Sequence, residues 1–397
     1  MKRNNLRPQS GAWGGRLLTL LIIVLALAGC GEAGGAETMI APDAAMHRAD
    51  AARTGVFQTA GLAEYSAIKW QFAADEWFFA APAVLGDAVY AASYDGNVYA
   101  LDRETGVERW RFTTEQPIIA SPAAAGGRVF VAGMDGIAYA LDAADGAEQW
   151  RATLGDGSAG NGITGSPAVV GDTVFIAGEN GLLLALNAAT GEERWRFHKE
   201  GLAIPFSPAV ADGVVYVGVS DGVLYALDAG SGAEQWSFSP LRAATDTYSP
   251  TADPVVAGGV VYYMTSDPGL LGELIAVDIA THEARWRYET PTENFSAPSI
   301  AGDMLIWGGL DGRIYGVNAA DGQEVWTFPT SDIIFSAPAI AGELAYVGSN
   351  DKNLYAIDAA TGHMAWQFRA DSGVSSPAIA DGIVYVGTEG GVLYALQ

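Results

Sequence analysis

The chain has 397 residues, which is enough for two or three average domains or for one large all-β domain. Half of the residues are hydrophobic, and 50 glycines stand at regular places rather than in low-complexity runs, which indicates a turn-rich β protein and argues against disorder. The formal net charge of −25 argues against nucleic acid as a partner, because phosphate groups would be repelled.

The first thirty residues have the pattern of an export signal. Four Lys or Arg residues precede an apolar run at 17–28, which is shorter than the ~20 residues that a membrane-spanning helix needs. The run ends in LAGC at 27–30, which resembles the lipobox of bacterial lipoproteins. The resemblance implies cleavage before Cys30 and acylation of its thiol and its new amino group. We therefore expect a signal peptide over 1–29, and a lipidated cysteine with a tether over 30–65.

Cys30 is the single cysteine of the sequence, so no disulfide can form within the chain. Two or more acyl chains on Cys30 would make a stable membrane anchor. We expect an exported protein that is held through Cys30 to the cell membrane or to an outer membrane, with its folded part outside the cytoplasm.

A repeat of about 40 residues fills the rest of the chain. Its most regular mark is a tryptophan, with spacings of 40, 40, 45, 41, 50, 40 and 40 between Trp70, Trp110, Trp150, Trp195, Trp236, Trp286, Trp326 and Trp366. A proline opens each unit, at Pro82, Pro122, Pro167, Pro208, Pro254, Pro298, Pro338 and Pro377. Between proline and tryptophan, alternating apolar runs meet at Asp-Gly pairs such as 221–222, which favour a type I′ hairpin.

Each unit predicts four short antiparallel strands, and residues 66–397 show no helical periodicity. Four-stranded units of this length, repeated without helices, are typical of a β-propeller. The first tryptophan precedes the first proline, while the last unit ends at GVLYALQ without a tryptophan. We therefore predict an all-β, eight-bladed, monomeric propeller over 66–397, closed into a ring when the N-terminal strand at 68–72 completes the last blade.

Each tryptophan after the first closes a phrase of the form A-x-D-x-x-T-G-x-x-x-W, such as ALDRETGVERW at 100–110. The phrase resembles the tryptophan-docking motif of the pyrroloquinoline-quinone (PQQ)-like, or quinoprotein alcohol dehydrogenase-like, propellers. The resemblance implies that each tryptophan lies flat between blades, against the Ala and Gly of a neighbouring motif. His282 replaces the glycine in one copy, and Gly316 replaces the alanine in another. Residues 46–56, MHRADAARTGV, are similar to the lead-in of many exported PQQ-like repeat proteins.

The same resemblance raises the question of catalysis, because this fold carries quinone-dependent dehydrogenases. Such an enzyme would need cationic partners for a tricarboxylate quinone, oxygen ligands for calcium and a carboxylate base. The sequence has no adjacent cysteines, and no residue stands out as a base or a calcium ligand. The histidines are predicted on separate parts of the fold, so they do not form a metal site; they are His47, His198, His282 and His363. We therefore expect no enzymatic activity and no cofactor, neither PQQ nor calcium.

Aromatic residues stand in the inter-blade loops, just before the prolines. In an antiparallel meander these loops share one face with the central hairpins, and aromatic side chains there can bind a protein or a ligand. The predicted binding residues at this funnel mouth are Trp77, Phe79, Phe206, Arg242, Tyr248, Phe295 and Phe335. The alternative is that the aromatic side chains plug the channel and seal the strand ends.

The predicted lipid anchor, the length and the blade count resemble the propeller lipoproteins of the outer-membrane β-barrel assembly machine. The resemblance implies a membrane-anchored scaffold for other envelope proteins, and this is the leading hypothesis. Two alternatives stay open. One is a quinone-binding redox protein, and the other is a cell-surface sensor that binds a ligand or a carbohydrate through the aromatic funnel.

Overall fold

Eight antiparallel sheets follow one another along the chain, so the predicted all-β, eight-bladed propeller is confirmed. The computed structural model describes residues 44–154, 162–241, 248–266 and 271–397, and these ranges contain strands and turns but no helix. Each sheet is one blade of four strands, and two of the sheets gain one short extra strand.

The strands of each blade run in order from the channel outward. Two strands precede the first complete blade, β1 (Ala44–Ala45) and β2 (Ile68–Ala73). Blades 1 and 2 consist of β3 (Ala83–Leu85), β4 (Ala88–Ala92), β5 (Asn97–Asp102), β6 (Glu108–Thr113), β7 (Ala123–Ala125), β8 (Arg128–Ala132), β9 (Ile137–Asp142) and β10 (Glu148–Thr153). Blades 3 and 4 consist of β11 (Ala168–Val170), β12 (Thr173–Ala177), β13 (Leu182–Asn187), β14 (Glu193–His198), β15 (Ala209–Ala211), β16 (Val214–Gly218), β17 (Leu224–Asp228) and β18 (Glu234–Phe238).

The second half of the ring repeats this order. Blade 5 consists of β20 (Val255–Ala257), β21 (Val260–Ser266), β22 (Gly272–Asp278) and β23 (Ala284–Thr290), with the extra strand β19 (Ser249–Pro250) beside β21. Blades 6 and 7 consist of β24 (Ser299–Ala301), β25 (Met304–Gly308), β26 (Arg313–Asn318), β27 (Glu324–Pro329), β28 (Ala339–Ala341), β29 (Leu344–Gly348), β30 (Asn353–Asp358) and β31 (Met364–Arg369). Blade 8 contains β32 (Ala378–Ala380), β33 (Ile383–Gly387) and β34 (Val392–Leu396).

The burial of each strand follows from the place of its blade between two neighbours. The second and third strands are buried along most of their length, as in β4 and β5, because adjacent blades cover both faces of the sheet. The fourth strand alternates, and in β6 its buried residue is Trp110.

The two ends of the blades differ in the turns that they carry. We call one end the loop face; it holds the inter-blade loops and the hairpins between the second and third strands. These two sets of turns touch, since the Tyr94 N–H donates to the Trp77 carbonyl at 2.8 Å. The opposite end, which we call the turn face, holds the turn between the first and second strands and the turn between the third and fourth strands of each blade.

The tryptophans of the fourth strands join neighbouring blades. Seven of the eight indole N–H groups donate to a backbone carbonyl outside their own blade at 2.8–3.1 Å. The ring lies against the glycine of the next motif, so a Cβ at Gly106 would come within 2.6 Å of the Trp70 ring. Gly106 also has a φ of +71°, a conformation that glycine adopts without strain.

Both departures from the docking motif have a packing explanation. His282 adopts the left-handed conformation of the glycine that it replaces, with a φ of 60°, and its ring stacks on Trp236 at a centroid distance of 4.8 Å. At Gly316 a Cβ would lie 2.2 Å from the ring of Trp326, so the alanine of the other copies would clash here unless the indole moved.

Pairing between the two ends of the propeller closes the ring, as predicted for residues 68–72. Strand β2 pairs antiparallel with β34, with Trp70 opposite Ala395, and gives blade 8 its fourth strand. Gln397 extends this pairing, because its backbone exchanges hydrogen bonds with Ala67 at 2.9 and 3.0 Å. Closure therefore needs residues from both ends of the described chain.

Residues 44–65 lie along the inner strands of the ring, where β1 pairs with β7. The innermost strands of four consecutive blades donate backbone N–H groups to this segment, at distances of 2.6–2.9 Å. The donors are Val210, Val256, Ile300 and Ile340, and the acceptors are the carbonyls of residues 51, 52, 54 and 55, in the same order. Further on, the Leu62 carbonyl accepts the Trp366 indole N–H at 2.8 Å and so replaces the turn that blade 8 lacks.

This placement differs from the tether that the sequence predicts over 30–65. The described part of that range, residues 44–65, belongs to the propeller, because the inner strands would otherwise leave N–H groups unpaired at the channel. Cys30 and the expected signal peptide over 1–29 lie outside the described residues. Within the described ranges, no helix has the length and apolar character needed to cross a membrane.

Replacing a docked tryptophan should weaken the ring far more than replacing an exposed one. Trp326 is 8% exposed and Trp77 is 45% exposed. We expect Trp326→Ala to lower the free energy of unfolding by about 3–5 kcal/mol, because it leaves a cavity between two blades. The matched variant Trp77→Ala should cost less than about 1 kcal/mol. Urea unfolding of both variants measures the difference, and equal losses would contradict the docking role of Trp326.

Candidate functional site at the funnel mouth

The loop face opens into a central cavity of about 190 Å³. Phe79, Phe206, Phe295 and Phe335 line it from four different inter-blade loops, and His47 of the N-terminal segment lies at its floor. The aromatic residues reach one opening because each stands a few residues before the proline that starts the innermost strand. From here on, the name funnel mouth denotes these four phenylalanines together with Trp77.

Most aromatic side chains of the funnel mouth are open to solvent. The exposed fraction is 45% for Trp77, 50% for Phe79, 43% for Phe295 and 37% for Phe335, whereas Phe206 is half-buried. Phe295 and Phe335 lie side by side, with ring centroids 6.3 Å apart. These exposed rings do not plug the channel, which the N-terminal segment occupies instead.

Two residues predicted at the funnel mouth, Arg242 and Tyr248, belong to the loop between blades 4 and 5, and Tyr248 does not line this cavity. Tyr248 is half-buried and packs over the hairpin of blade 4, where a Cβ at Gly222 would lie 2.7 Å from its carbonyl oxygen. Arg242 lies outside the described residues. The described residues of this loop thus place Tyr248 over the blade 4 hairpin and not in the lining of the cavity.

Below the aromatic residues, the residues directly before the prolines are joined by hydrogen bonds at five of the eight blade boundaries. A backbone N–H of one blade donates to the side chain at the same position of the next blade, at 2.7–3.0 Å. The acceptors are Ser121, Ser166, Ser207, Asp253 and Ser376. Asp253 is the charged member of this set.

Asp253 is paired with the buried histidine at the floor of the cavity. Its Oδ1 accepts the Ser207 N–H at 2.7 Å, and its Oδ2 lies 3.2 Å from His47 Nε2. The Nδ1 of His47 lies 3.0 Å from the Ser121 hydroxyl. With its proton on Nε2, a neutral His47 donates to Asp253 and accepts from Ser121, so both ring nitrogens have partners.

Burial lowers the pKa of His47 below its ordinary value, although the hydrogen bond to Asp253 and the negative charge of Asp253 act in the opposite direction. Burial also disfavours the charged form of Asp253, but the hydrogen bond from His47 and the nearby Arg53 and Arg48 outweigh it and hold the pKa of Asp253 below its usual range. Asp253 is therefore a carboxylate in the interior of the ring, and His47 is neutral at pH 7.

The contact of Ser121, His47 and Asp253 invites comparison with a catalytic triad. Ser121 is 3% exposed, and its hydroxyl oxygen already accepts the Ala81 N–H at 3.0 Å. Ser166 accepts the Ser121 N–H in the same way without a histidine beside it. The arrangement is thus one link in this series of hydrogen bonds and presents no free nucleophile to the cavity.

Two arginines of the N-terminal segment fix its path through the channel. Arg53 is fully buried and donates to the carbonyls of Pro208, Ser166 and Pro167 at 2.8–3.2 Å. Arg48 donates to the Pro298 carbonyl on the other side of the ring. Their guanidinium groups are directed at backbone oxygens, and neither side chain lines the cavity.

The comparison with known proteins identifies the family of this chain. A family model described as outer membrane protein assembly factor BamB matches residues 66–161, 134–299, 251–337 and 294–397, which together span the propeller. The chain belongs to the BamB family. No curated protein is similar enough in sequence to count as a match.

Solved structures share the fold at low sequence identity. BamB from Moraxella catarrhalis has a TM-score of 0.67 and 21% identity, over 83% of this chain and 97% of that one. Quinohemoprotein alcohol dehydrogenase from Comamonas testosteroni has a TM-score of 0.76 and 17% identity, over 91% and 81%. A europium-containing methanol dehydrogenase has a TM-score of 0.73 and 17% identity, over 89% and 97%. These likenesses show the fold alone.

The residues of this BamB-family cavity do not fit PQQ. No Lys or Arg of the described residues lines it, so these residues offer no cation to a tricarboxylate quinone. Asp253 is already bound to His47, and the described residues contain no group of three His, Cys, Asp or Glu side chains that could hold a metal ion. The volume of about 190 Å³ is also below the 300–1,000 Å³ of typical small-molecule pockets.

Acidic residues of the central hairpins are used by the fold. Asp351 accepts the Tyr355 hydroxyl at 2.7 Å and the Asn353 N–H at 3.0 Å. Burial and this bond to Asp351 raise the pKa of Tyr355 to about 12, so the phenol keeps its proton and remains a donor. Asp95 and Asp135 hold the equivalent tyrosines in blades 1 and 2. These carboxylates are hairpin constituents rather than candidate bases.

Sequence reasoning missed the buried cluster of His47, Arg48, Arg53 and Asp253. The first three lie in a non-repetitive segment, and nothing in its residue pattern indicates burial. Asp253 carried a usable signal, because it precedes Pro254 where the other blades have Ser or Ala. A charged residue at a repeated interior position predicts a partner from outside the repeat.

The lowered pKa of His47 predicts a loss of stability in mild acid. The unfolded chain takes up a proton near pH 6.5 that the folded chain resists, so the free energy of unfolding should fall as the pH drops below about 6.5. We expect His47→Gln, which keeps a donor for Asp253, to flatten this dependence in urea unfolding between about pH 7.5 and pH 5.

The matched control is His198→Gln, because His198 is exposed on the fourth strand of blade 3. That variant should keep the pH dependence of the original protein. Asp50, whose pKa burial raises, is present in all three proteins and so does not affect the comparison. An unchanged slope in His47→Gln would contradict a buried neutral His47.

Proposed function

We propose that this BamB-family propeller is a non-catalytic scaffold that binds other envelope proteins through its loop face and takes part in outer-membrane protein assembly. The family is described as an outer membrane protein assembly factor, which supports this role. The expected signal peptide and an acylated Cys30 would hold the propeller outside the cytoplasm on a membrane of the envelope.

The observation that carries the proposal is the clustering of exposed aromatic side chains at the funnel mouth. Soluble proteins usually scatter exposed large apolar residues singly, whereas Phe79, Phe295 and Phe335 line one cavity and Trp77 lines the pocket beside it. Aromatic side chains in a concave setting are the commonest anchors of protein interfaces. They also lose little conformational entropy on binding, since each has two side-chain torsions.

The position of the N-terminal segment supports the choice of the loop face. On the channel side, residues 44–65 cover the N–H groups of inner strands in several blades. The described chain begins at Ala44 beside Ala125, next to a turn of the turn face. Apart from His47 at the floor, the described part of this segment does not line the loop-face cavity, and the aromatic rings there are exposed.

Two other functions use the same surface. A quinone-binding redox protein is suggested by the fold shared with two dehydrogenases, but the residues that line the cavity do not favour it. A cell-surface sensor for a carbohydrate or another ligand would use the same aromatic rings. Binding of PQQ and calcium to the purified full-length protein, measured by absorbance and calorimetry, would support the redox function and overturn the scaffold.

Site-specific photo-crosslinking in the native membrane tests the scaffold. We expect p-benzoylphenylalanine at Phe79 or at Phe295 to form crosslinks with envelope proteins, because these rings would be buried against a partner. The control position is Val107, which is 64% exposed and lies in a turn of the turn face in blade 1. It should give no crosslink to the same proteins.

The outcome is decided by mass spectrometry of the crosslinked bands. Outer-membrane assembly proteins that are captured at Phe79 and Phe295 but not at Val107 would support the proposal. Equal capture at all three positions, or no capture at any, would overturn it.

A further inference from the structure

A side pocket opens from the funnel mouth, where the loops of blades 7, 8 and 1 meet. Trp77, Phe79 and Phe335 form its aromatic walls, and Asn350 and Glu389 are among its polar residues. The pocket has room for about 50 Å³, compared with roughly 30 Å³ for one water in the liquid. This size suits the end group of one side chain, with the rest of the ligand in the funnel mouth.

Glu389 stands out because its hairpin does not need a carboxylate there. In blade 1 the hairpin acid is Asp95, which accepts the Asn97 N–H at 2.8 Å and the Tyr99 hydroxyl at 2.6 Å. Blade 8 has Gly390 at the equivalent position, and there the Thr388 hydroxyl accepts the Val392 N–H and Asp371 accepts the Tyr394 hydroxyl, both at 3.2 Å. The acidic residue of this hairpin, Glu389, directly precedes Gly390 and lies at the rim of the aromatic pocket.

Within the part of the chain that the structure describes, the negative charge of Glu389 has no counter-ion. One carboxylate oxygen accepts the Asn350 amide N–H at 3.2 Å, and no Lys or Arg of the described residues forms an ion pair with it. The side chain lies close over Gly373, where a Cβ would come within 2.7 Å of its Cδ. The missing Cβ therefore lets Glu389 take its place in the pocket.

We propose that this pocket binds the ammonium or guanidinium group of a Lys or Arg side chain that a protein partner inserts between the aromatic rings. The faces of Trp and Phe rings attract cations, and a carboxylate beside them adds a charge-assisted hydrogen bond. The net charge of −25 draws basic segments toward the propeller. The proposal rests on the scaffold function and names the chemistry of its partner at one position.

Fluorine NMR of the full-length protein labelled with 5-fluorotryptophan tests the pocket directly. The probes are N-acetyl-arginine amide and the uncharged N-acetyl-citrulline amide, which has nearly the same shape. The Trp77 signal, identified with Trp77→Phe, should shift saturably with the arginine probe and little with the citrulline probe. We expect Glu389→Gln to weaken arginine binding by about tenfold, because it removes the charge and keeps the size of the side chain.

Glu179→Gln is the matched control, because Glu179 stands at the same hairpin position in blade 3, on another side of the funnel. It should leave arginine binding unchanged. Equal shifts with both probes, no shift with either, or unchanged binding in Glu389→Gln would each overturn the pocket. In those cases crosslinks at Phe295 would still uphold the scaffold, whereas arginine binding without any crosslinked partner would count against the scaffold alone.

Discussion

Ring closure is the constraint on which this propeller depends. Eight wedge-shaped blades enclose a channel, and each buries both faces of its sheet against its neighbours, so an open ring would expose two whole faces. Pairing of β2 with β34 supplies the missing strand of the last blade. The docked tryptophans repeat a smaller contact at every blade boundary, and Leu62 supplies the acceptor for Trp366 where the repeat lacks one.

Residues 44–65 form a second closure, because they fill the channel between the loop face and the turn face. Residues 44–65 pair with the inner strands, and Arg53 holds carbonyls from two blades at once. The buried pair of His47 and Asp253 belongs to this structural closure, which explains charged groups in the interior without assigning them chemistry. The proposed binding surface is therefore the loop face, where aromatic rings are exposed and Glu389 has no ion-pair partner among the described residues.

The repeat made most of the fold predictable, because each blade carries the same proline, hairpin and tryptophan. The position of Phe79, Phe295 and Phe335 around one opening also followed, since each stands three residues before its proline. The course of residues 44–65 did not, because it depends on unpaired N–H groups of inner strands far away in sequence. The position of Glu389 was equally unpredictable, since it depends on Asn350 of a neighbouring blade and on the absence of a Cβ at Gly373.

Amide hydrogen exchange of the intact protein tests most directly whether the channel is closed by the N-terminal segment. The account predicts that the amides of Val210, Val256, Ile300 and Ile340 exchange as slowly as those of the paired second strands, because carbonyls of residues 51–55 accept their hydrogen bonds. Exchange of these four amides at the rate of exposed turn residues would show an open channel, and would contradict the division between a structural interior and a binding face.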